Sequence, residues 1–186
     1  MTTTNNSHTP LAKQGVRLAL IAAAGGLVSL SLGVYGRVHE PTGRRVTTLF
    51  FSSLVAMKAW LATVSFTLAL LQLFSALAMY GRLPGVGSTT RWLPFVHRWS
   101  GTTAFLVSLP VGYHCLWALG VQTTGTRQIA HSVMGCLFYG AFASKLLCLH
   151  SNGLPKWRLP VVGGVLVALL TGIWLTSALW FFTNVA

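Results

Sequence analysis

Five long apolar stretches alternate with short polar segments along the chain, at residues 16–35, 46–80, 92–119, 128–148 and 159–182. A helix rises about 1.5 Å per residue, so about 20 apolar residues cross the roughly 30 Å of hydrocarbon in a bilayer. The pattern predicts an all-α integral membrane protein in which five transmembrane helices form a bundle. Residues 14–186 make one transmembrane domain, and residues 1–13 are predicted to be a disordered tail.

The second stretch is too long for a single simple crossing, because a helix over residues 46–80 would extend about 50 Å. Lys58 interrupts its apolar sequence. We place Lys58 near one membrane interface and interpret residues 46–57 as a helical extension or as a lead-in that lies on the membrane surface.

Composition supports a lipid environment and excludes several classes of function. Hydrophobic residues make up 53% of the chain and charged residues 8%, whereas soluble domains carry roughly a quarter charged residues. The formal net charge of +12 is spread one or two residues per loop, which disfavours a nucleic-acid partner. Glu40 is the single acid, so no pair of carboxylates exists for hydrolysis.

Loop charges predict the orientation of the helices through the excess of Lys and Arg in cytoplasmic loops. The side that holds the N-terminus carries the larger set: Lys13, Arg17, Arg82, Arg91, Arg98, Lys156 and Arg158. The other side carries Arg37, Arg44, Arg45 and Arg127. We therefore expect a cytoplasmic N-terminus and an extracytoplasmic C-terminus, in a multi-pass protein of the cell membrane.

Four histidines lie at matched distances from the loop between the third and fourth stretches. His114 and His131 flank this loop closely, and His97 and His150 lie 17 and 19 residues further away from it. Histidines at membrane depth are costly without a partner and are therefore candidate functional residues. In an antiparallel helix pair, equal distances from the loop mean equal depths, so the spacing predicts an outer pair and an inner pair.

The four histidines are candidate axial ligands of haem, because a low-spin haem binds one neutral imidazole on each face. HRWSG begins at His97 and HSVMG begins at His131, so Gly101 and Gly135 follow four residues later on the same helix face. Glycine there would let a flat macrocycle approach the backbone. The two levels lie about 25–28 Å apart. However, the two histidines of each helix point about 100° apart, which a kink at Pro110 would partly correct.

Two lysines within apolar sequence are candidate contacts for haem propionates, Lys58 at the outer level and Lys145 at the inner level. Both have an alternative interpretation, since lysine stems reach readily to lipid head groups. His97 and His150 also have alternative interpretations. His97 could be a hydrated residue at the membrane interface, and His150 could simply cap the end of its helix. The chain contains no CxxCH motif, so a covalently attached c-type haem is excluded. Cys115, Cys136 and Cys148 are interpreted as small core residues.

The two segments HRWSGTTAFLVSLPVGYHCLWAL and IAHSVMGCLFYGAFASKLLCLH resemble the haem core of the cytochrome b561 and ferric-reductase-like membrane proteins. The resemblance is concentrated in residues 92–150. It implies bis-histidine ligation of haem b, at one level or two. The whole chain also resembles an uncharacterised bacterial family of five-helix membrane proteins.

These observations predict a b-type cytochrome that transfers single electrons, as a subunit of a membrane oxidoreductase. Its partners would be a quinol or a redox protein on one side and an acceptor at or across the membrane. The favoured haem site is the outer pair, His114 and His131. The alternative is a membrane anchor or assembly subunit that binds no cofactor and holds a soluble redox protein at the membrane.

Overall fold

The computed structural model describes residues 10–44, 47–85 and 90–185. Its helices are α1 (Pro10–Val38), α2 (Leu54–Met79), α3 (Leu93–Tyr113), α4 (Thr126–His150), α5 (Arg158–Trp174) and a short α6 (Trp180–Asn184). A π-helical segment, His114–Leu119, extends α3, and a second one, Leu175–Leu179, joins α5 to α6. Within the described ranges the protein is all-helical, and five helical stretches are long and apolar enough to cross a membrane.

The last three spans begin and end within two residues of the predicted positions, whereas α1 begins at Pro10 instead of residue 16 and α2 begins eight residues after residue 46. α2 begins at Leu54, where the Ser53 hydroxyl caps it by accepting the Ala56 N–H at 3.1 Å. Lys58 therefore lies in the first two turns of α2, and residues 47–53 precede the helix. At the other end of the chain, α1 already includes residues 10–13, while residues 1–9 of the predicted tail lie outside the described part, as does Arg45.

Turn glycines end two of the spans. Gly120 follows the first π-helical segment with φ 66°, and Gly81 follows α2 with φ 65°. A side chain at such a positive φ would clash with the backbone, so glycine is the residue that reverses the chain here at the lowest cost. These turns set the lengths of α2 and of the α3 span.

Small residues bring pairs of helices close together. α1 packs on α4 where Gly25 faces Gly140, and a β-carbon added at Gly25 would lie 2.6 Å from the Gly140 carbonyl oxygen. Ser29 and Ser144 follow these glycines by four residues, which gives both helices a small-xxx-small pattern. Such patterns allow close backbone approach in membranes, where helix packing lacks a hydrophobic driving force.

The α2–α3 interface is also built from small residues, and the Ser65 hydroxyl donates to the Ala104 carbonyl across it at 3.1 Å. α5 packs against α4 and α2. There the Trp174 indole N–H donates to the Thr63 hydroxyl at 3.0 Å, and the Trp174 ring stacks on Phe66. The bundle thus consists of an α2–α3 pair and an α1–α4 pair, with α5 bridging the two.

The consecutive helices α3 and α4 do not pack closely against each other along the part of the chain that the structure describes. Side chains meet in the middle of the gap: Phe105 of α3 stacks on Phe142 of α4, with ring centroids 3.8 Å apart. Beside them, the Tyr139 hydroxyl donates to the Ser108 carbonyl at 2.9 Å. This central aromatic layer leaves a cavity on each side of it.

Candidate functional site

The two cavities lie towards opposite ends of the α3–α4 gap. The first, here the His131 cavity, has a volume of about 290 Å³ and is lined mainly from α2, the end of α3, both π-helical segments, the α3–α4 loop and α4, with further residues from α1 and α6. The second, the His97 cavity, has a volume of about 380 Å³ and is lined from α2, α3, α4 and α5. Tyr139 lines the first cavity, and Phe105 and Phe142 line the second. The central aromatic layer therefore separates them.

His131 is anchored at one ring nitrogen and free at the other. Its Nδ1 lies 3.1 Å from the Thr176 hydroxyl. Because that hydroxyl lies 2.7 Å from the Gly172 carbonyl and 3.1 Å from the Ile173 carbonyl, we assign its proton to these acceptors and the Nδ1 proton to His131. Nε2 makes no hydrogen bond with any described residue and keeps its lone pair. This is the arrangement in which proteins present histidine to a metal.

His97 has the same arrangement in the second cavity. Its Nδ1 lies 3.1 Å from the Gln72 carbonyl oxygen, which only accepts, so Nδ1 carries the proton. The Ser75 hydroxyl lies 3.0 Å from the same nitrogen. The Gln72 amide in turn donates to the His97 carbonyl at 2.6 Å. Gln72 therefore fixes both the backbone and the ring of His97, and Nε2 has no hydrogen-bond partner among the described residues.

The other two histidines lie outside these cavities. His114 is buried, with 1% of its surface exposed, and its Nδ1–H donates to the Pro110 carbonyl at 2.7 Å. Its buried Nε2 has no hydrogen-bond partner among the residues that the structure describes. His150 is exposed at the end of α4, where its Nδ1–H donates to the Leu146 carbonyl at 2.9 Å. The structure thus brings neither predicted pair together in one cavity, and both pairings remain predictions.

The predicted lysines and glycines do line the cavities, at the predicted levels. Lys58 and Gly135 line the His131 cavity, whereas Lys145 and Gly101 line the His97 cavity. A β-carbon added at Gly135 would meet no atom within 4 Å, so this backbone faces open space. At Gly101, by contrast, an added β-carbon would meet the end of the Gln72 side chain, so a larger residue here would displace the amide that contacts His97.

The cavity lysines lack carboxylate partners. Lys145 donates to the Gln72 side-chain carbonyl at 3.3 Å, and Lys58 makes no hydrogen bond or ion pair with a described residue. Glu40, the single acid of the chain, is exposed in the loop after α1. Neighbouring His39 stacks on Tyr35 instead of reaching either cavity. Two cations line each cavity, Lys58 and Arg127 in the first and Lys145 and Arg98 in the second, and no acid is among the residues that line either one.

The sequence reasoning missed two residues and two helix irregularities that shape these cavities. Thr176 hydrogen-bonds to His131, and Gln72 hydrogen-bonds to His97 and Lys145. Both π-helical segments border the His131 cavity, which Cys115 and Thr176 line. π-helical turns are rare and occur often at functional sites. Pro110, four residues before the first segment, was the sequence signal for irregular helix geometry, but the second segment has no proline near it.

Each cavity is lined by one histidine, so an iron porphyrin would find one imidazole in each of them. The described residues contain no group of three or more His, Cys, Asp and Glu side chains that could hold a metal ion. A porphyrin supplies four of the iron ligands itself and needs only axial imidazoles. His131 and His97 each offer a free Nε2 inside a mainly apolar cavity, and His114 offers a buried Nε2 that has no partner.

Comparison with known proteins defines the relationship of this chain at the family level only. Neither a search of curated proteins nor a search of solved structures found a match. The family model that does match is not one for the cytochrome b561 proteins, so that resemblance remains a prediction. The chain belongs to the family described as a family of unknown function, DUF6529, whose model matches residues 18–186.

Proposed function

We propose that this protein is a b-type cytochrome of the cell membrane that transfers single electrons. The observation that carries the proposal is the geometry of His131: its Nδ1–H is fixed by Thr176, and its Nε2 is free within a cavity that Lys58 and Gly135 also line. When bound, haem b supplies one-electron redox chemistry at its iron. The partners would be a quinol or redox subunit and an acceptor at or across the membrane.

The residues have distinct roles in this proposal. His131 would hold the haem through its Nε2, and Thr176 would fix the orientation of that ring. His114 is the candidate for the second ligand. It directly follows α3, at the end of the α3–α4 gap where His131 lies, and its buried Nε2 has no hydrogen-bond partner among the described residues. Lys58 neutralises a propionate, and its ammonium favours the anion because no acid competes for it.

A second haem is proposed for the His97 cavity, with His97 as ligand and Lys145 as the propionate contact. Gln72 would position His97 in the way that Thr176 positions His131. His150 is the candidate for the opposite ligand, but it lies exposed at the end of α4. Electrons would then cross the bilayer between the two levels, with the N-terminus on the cytoplasmic side.

The alternative function is a membrane anchor or assembly subunit without a cofactor. The observation that favours it is the separation of the predicted pairs, since His114 does not line the His131 cavity. In this case the cavities would be packing gaps, and the helices would serve to hold a soluble redox partner at the membrane.

Haem content per chain separates these functions. The protein would be purified in detergent from haem-replete cells, with haem measured as the pyridine haemochrome and by reduced-minus-oxidised spectra. We expect one or two haems per chain and a low-spin spectrum. His131→Ala should remove the signal of one haem, whereas His39→Ala, which removes a loop imidazole, should not. A colourless wild-type protein would support the anchor function instead.

A further inference from the structure

Two cations, Lys58 and Arg127, line the His131 cavity without any acid among its lining residues. Arg127 is held in place by neutral groups. One of its guanidinium nitrogens donates to the Thr176 carbonyl at 2.6 Å, and its central carbon lies 4.1 Å from the centroid of the Trp180 ring. These contacts orient the guanidinium, but neither partner carries a negative charge. Its remaining N–H groups have no partner among the described residues.

The position of Arg127 adds to this uncompensated charge. Arg127 lies in the first turn of α4, where the helix dipole is itself positive, so the helix does not stabilise the cation. The single acid, Glu40, is exposed in a loop and does not line the cavity. Two positive side chains in a mainly apolar cavity are costly unless an anion neutralises them.

We propose that Lys58 and Arg127 together bind the two carboxylates of the ligand in the His131 cavity. The identity of that ligand as a porphyrin rests on the proposed function above. Arg127 is thereby assigned to the binding site, as a partner to Lys58. The assignment favours a dianionic macrocycle over a neutral quinone as the occupant of this cavity.

Thr176 links this anion site to the axial histidine. Its carbonyl accepts from Arg127, and its hydroxyl accepts from His131, so one residue of the second π-helical segment orients both groups. An arginine held by such contacts loses little conformational freedom when it binds a carboxylate, and its planar group can donate two parallel hydrogen bonds. Lys58, which has no such contacts, would act as a flexible point charge.

Metal-free porphyrins test the anion site without the iron. The full chain would be produced in haem-deficient cells and placed in phosphatidylcholine nanodiscs, where no anionic head group competes. Fluorescence titrations would compare protoporphyrin IX with its dimethyl ester, which lacks the two carboxylates. We expect the wild-type chain to bind the free acid at least about tenfold more tightly than the ester, because hydrogen bonds to charged groups are strong.

Matched variants show which cations cause the tighter binding of the free acid relative to the dimethyl ester. Arg127→Gln and Lys58→Gln should each reduce the preference for the free acid while leaving ester affinity unchanged. Arg44→Gln is the control, since Arg44 is an exposed loop arginine outside the cavity. Equal preference in the wild type and in Arg127→Gln would overturn the assignment. The assignment would also be overturned if adding phosphatidylglycerol removed the preference for the free acid, because lipid head groups would then be the natural anions at this site.

Iron porphyrin separates this inference from the proposed function. If free-acid preference depends on Arg127 but ferric haem gives no low-spin spectrum, the anion site stands and the cytochrome function fails. If haem binds with a low-spin spectrum that His131→Ala removes, but Arg127→Gln has no effect, the function stands and the anion site fails. If no porphyrin binds to the wild type, both are refuted.

Discussion

Replacing Thr176 by valine tests whether the hydroxyl that holds His131 has a functional role. Valine has nearly the same shape as threonine but cannot accept the Nδ1–H of His131, which lies 3.1 Å from the hydroxyl oxygen. The lost hydrogen bond and the unpaired ring N–H together cost about 1–3 kcal/mol. Since His131 is only partly buried and its ring can turn, we expect a value near the lower limit.

Losing the Thr176–His131 hydrogen bond should weaken the affinity for haem. A free-energy loss of about 1.4 kcal/mol lowers that affinity about tenfold, which is at the lower end of the roughly 10–100-fold effects seen when partners of metal-bound histidines are removed. An imidazole without its acceptor is also less basic and stabilises ferric iron less well. The midpoint potential should therefore rise, by about 59 mV for each tenfold selective loss of ferric affinity.

Haem titrations monitored at the Soret band and potentiometric titrations would measure both effects. Thr176→Ser keeps the hydroxyl and should restore binding. Thr171→Val is the matched control, because the Thr171 hydroxyl makes the same bond to the carbonyl four residues earlier, at 2.8 Å, but holds no histidine. If Thr176→Val and Thr171→Val bind haem equally and have the same potential, the proposed role of Thr176 is wrong.

Three further predictions concern the packing of the bundle and the His131 cavity. Gly140→Leu should destabilise the protein by about 1–3 kcal/mol in thermal unfolding, because the α1 backbone occupies the space that its side chain would need. Gly26→Leu is the control and should have little effect, because an added β-carbon at Gly26 meets no atom within 4 Å. Gly135→Leu should abolish haem binding without lowering the unfolding temperature, since Gly135 lines the His131 cavity and an added β-carbon there meets no atom within 4 Å; retained binding would contradict the cavity assignment. Trp174→Phe should cost about 0.6 kcal/mol, the usual value of a hydrogen bond between membrane helices, and Thr63→Val should give no additional loss in the double variant.

The five spans could be predicted from the sequence because bilayer thickness and helix rise fix the length of a crossing. The third, fourth and fifth spans, Leu93–Leu119, Thr126–His150 and Arg158–Asn184, therefore begin and end within two residues of the predicted positions. Lys58 and Gly135 line the same cavity as His131, as expected if depth follows from distance along a helix, while their roles towards haem stay predictions. Which way a side chain points depends on helix rotation, which apolar sequence specifies poorly.

The positions of His114 and Thr176 illustrate what depth alone does not determine. His114, at which the first π-helical segment begins, is buried and does not line the His131 cavity. Thr176 contacts His131 only because α5 packs against α4, a pairing between helices that the sequence pattern does not define. The open gap between α3 and α4 was missed because a short loop normally implies close neighbours.

The stacked rings of Phe105 and Phe142 have a consequence for the transport of charge. A tight apolar plug halfway through a membrane protein stops water, protons and small ions from moving between its two sides. Electrons need no continuous opening, since they tunnel over short distances through packed matter. If redox groups occupy both cavities, electrons can pass between them through the central aromatic layer, while that layer blocks protons and the bilayer keeps its proton gradient.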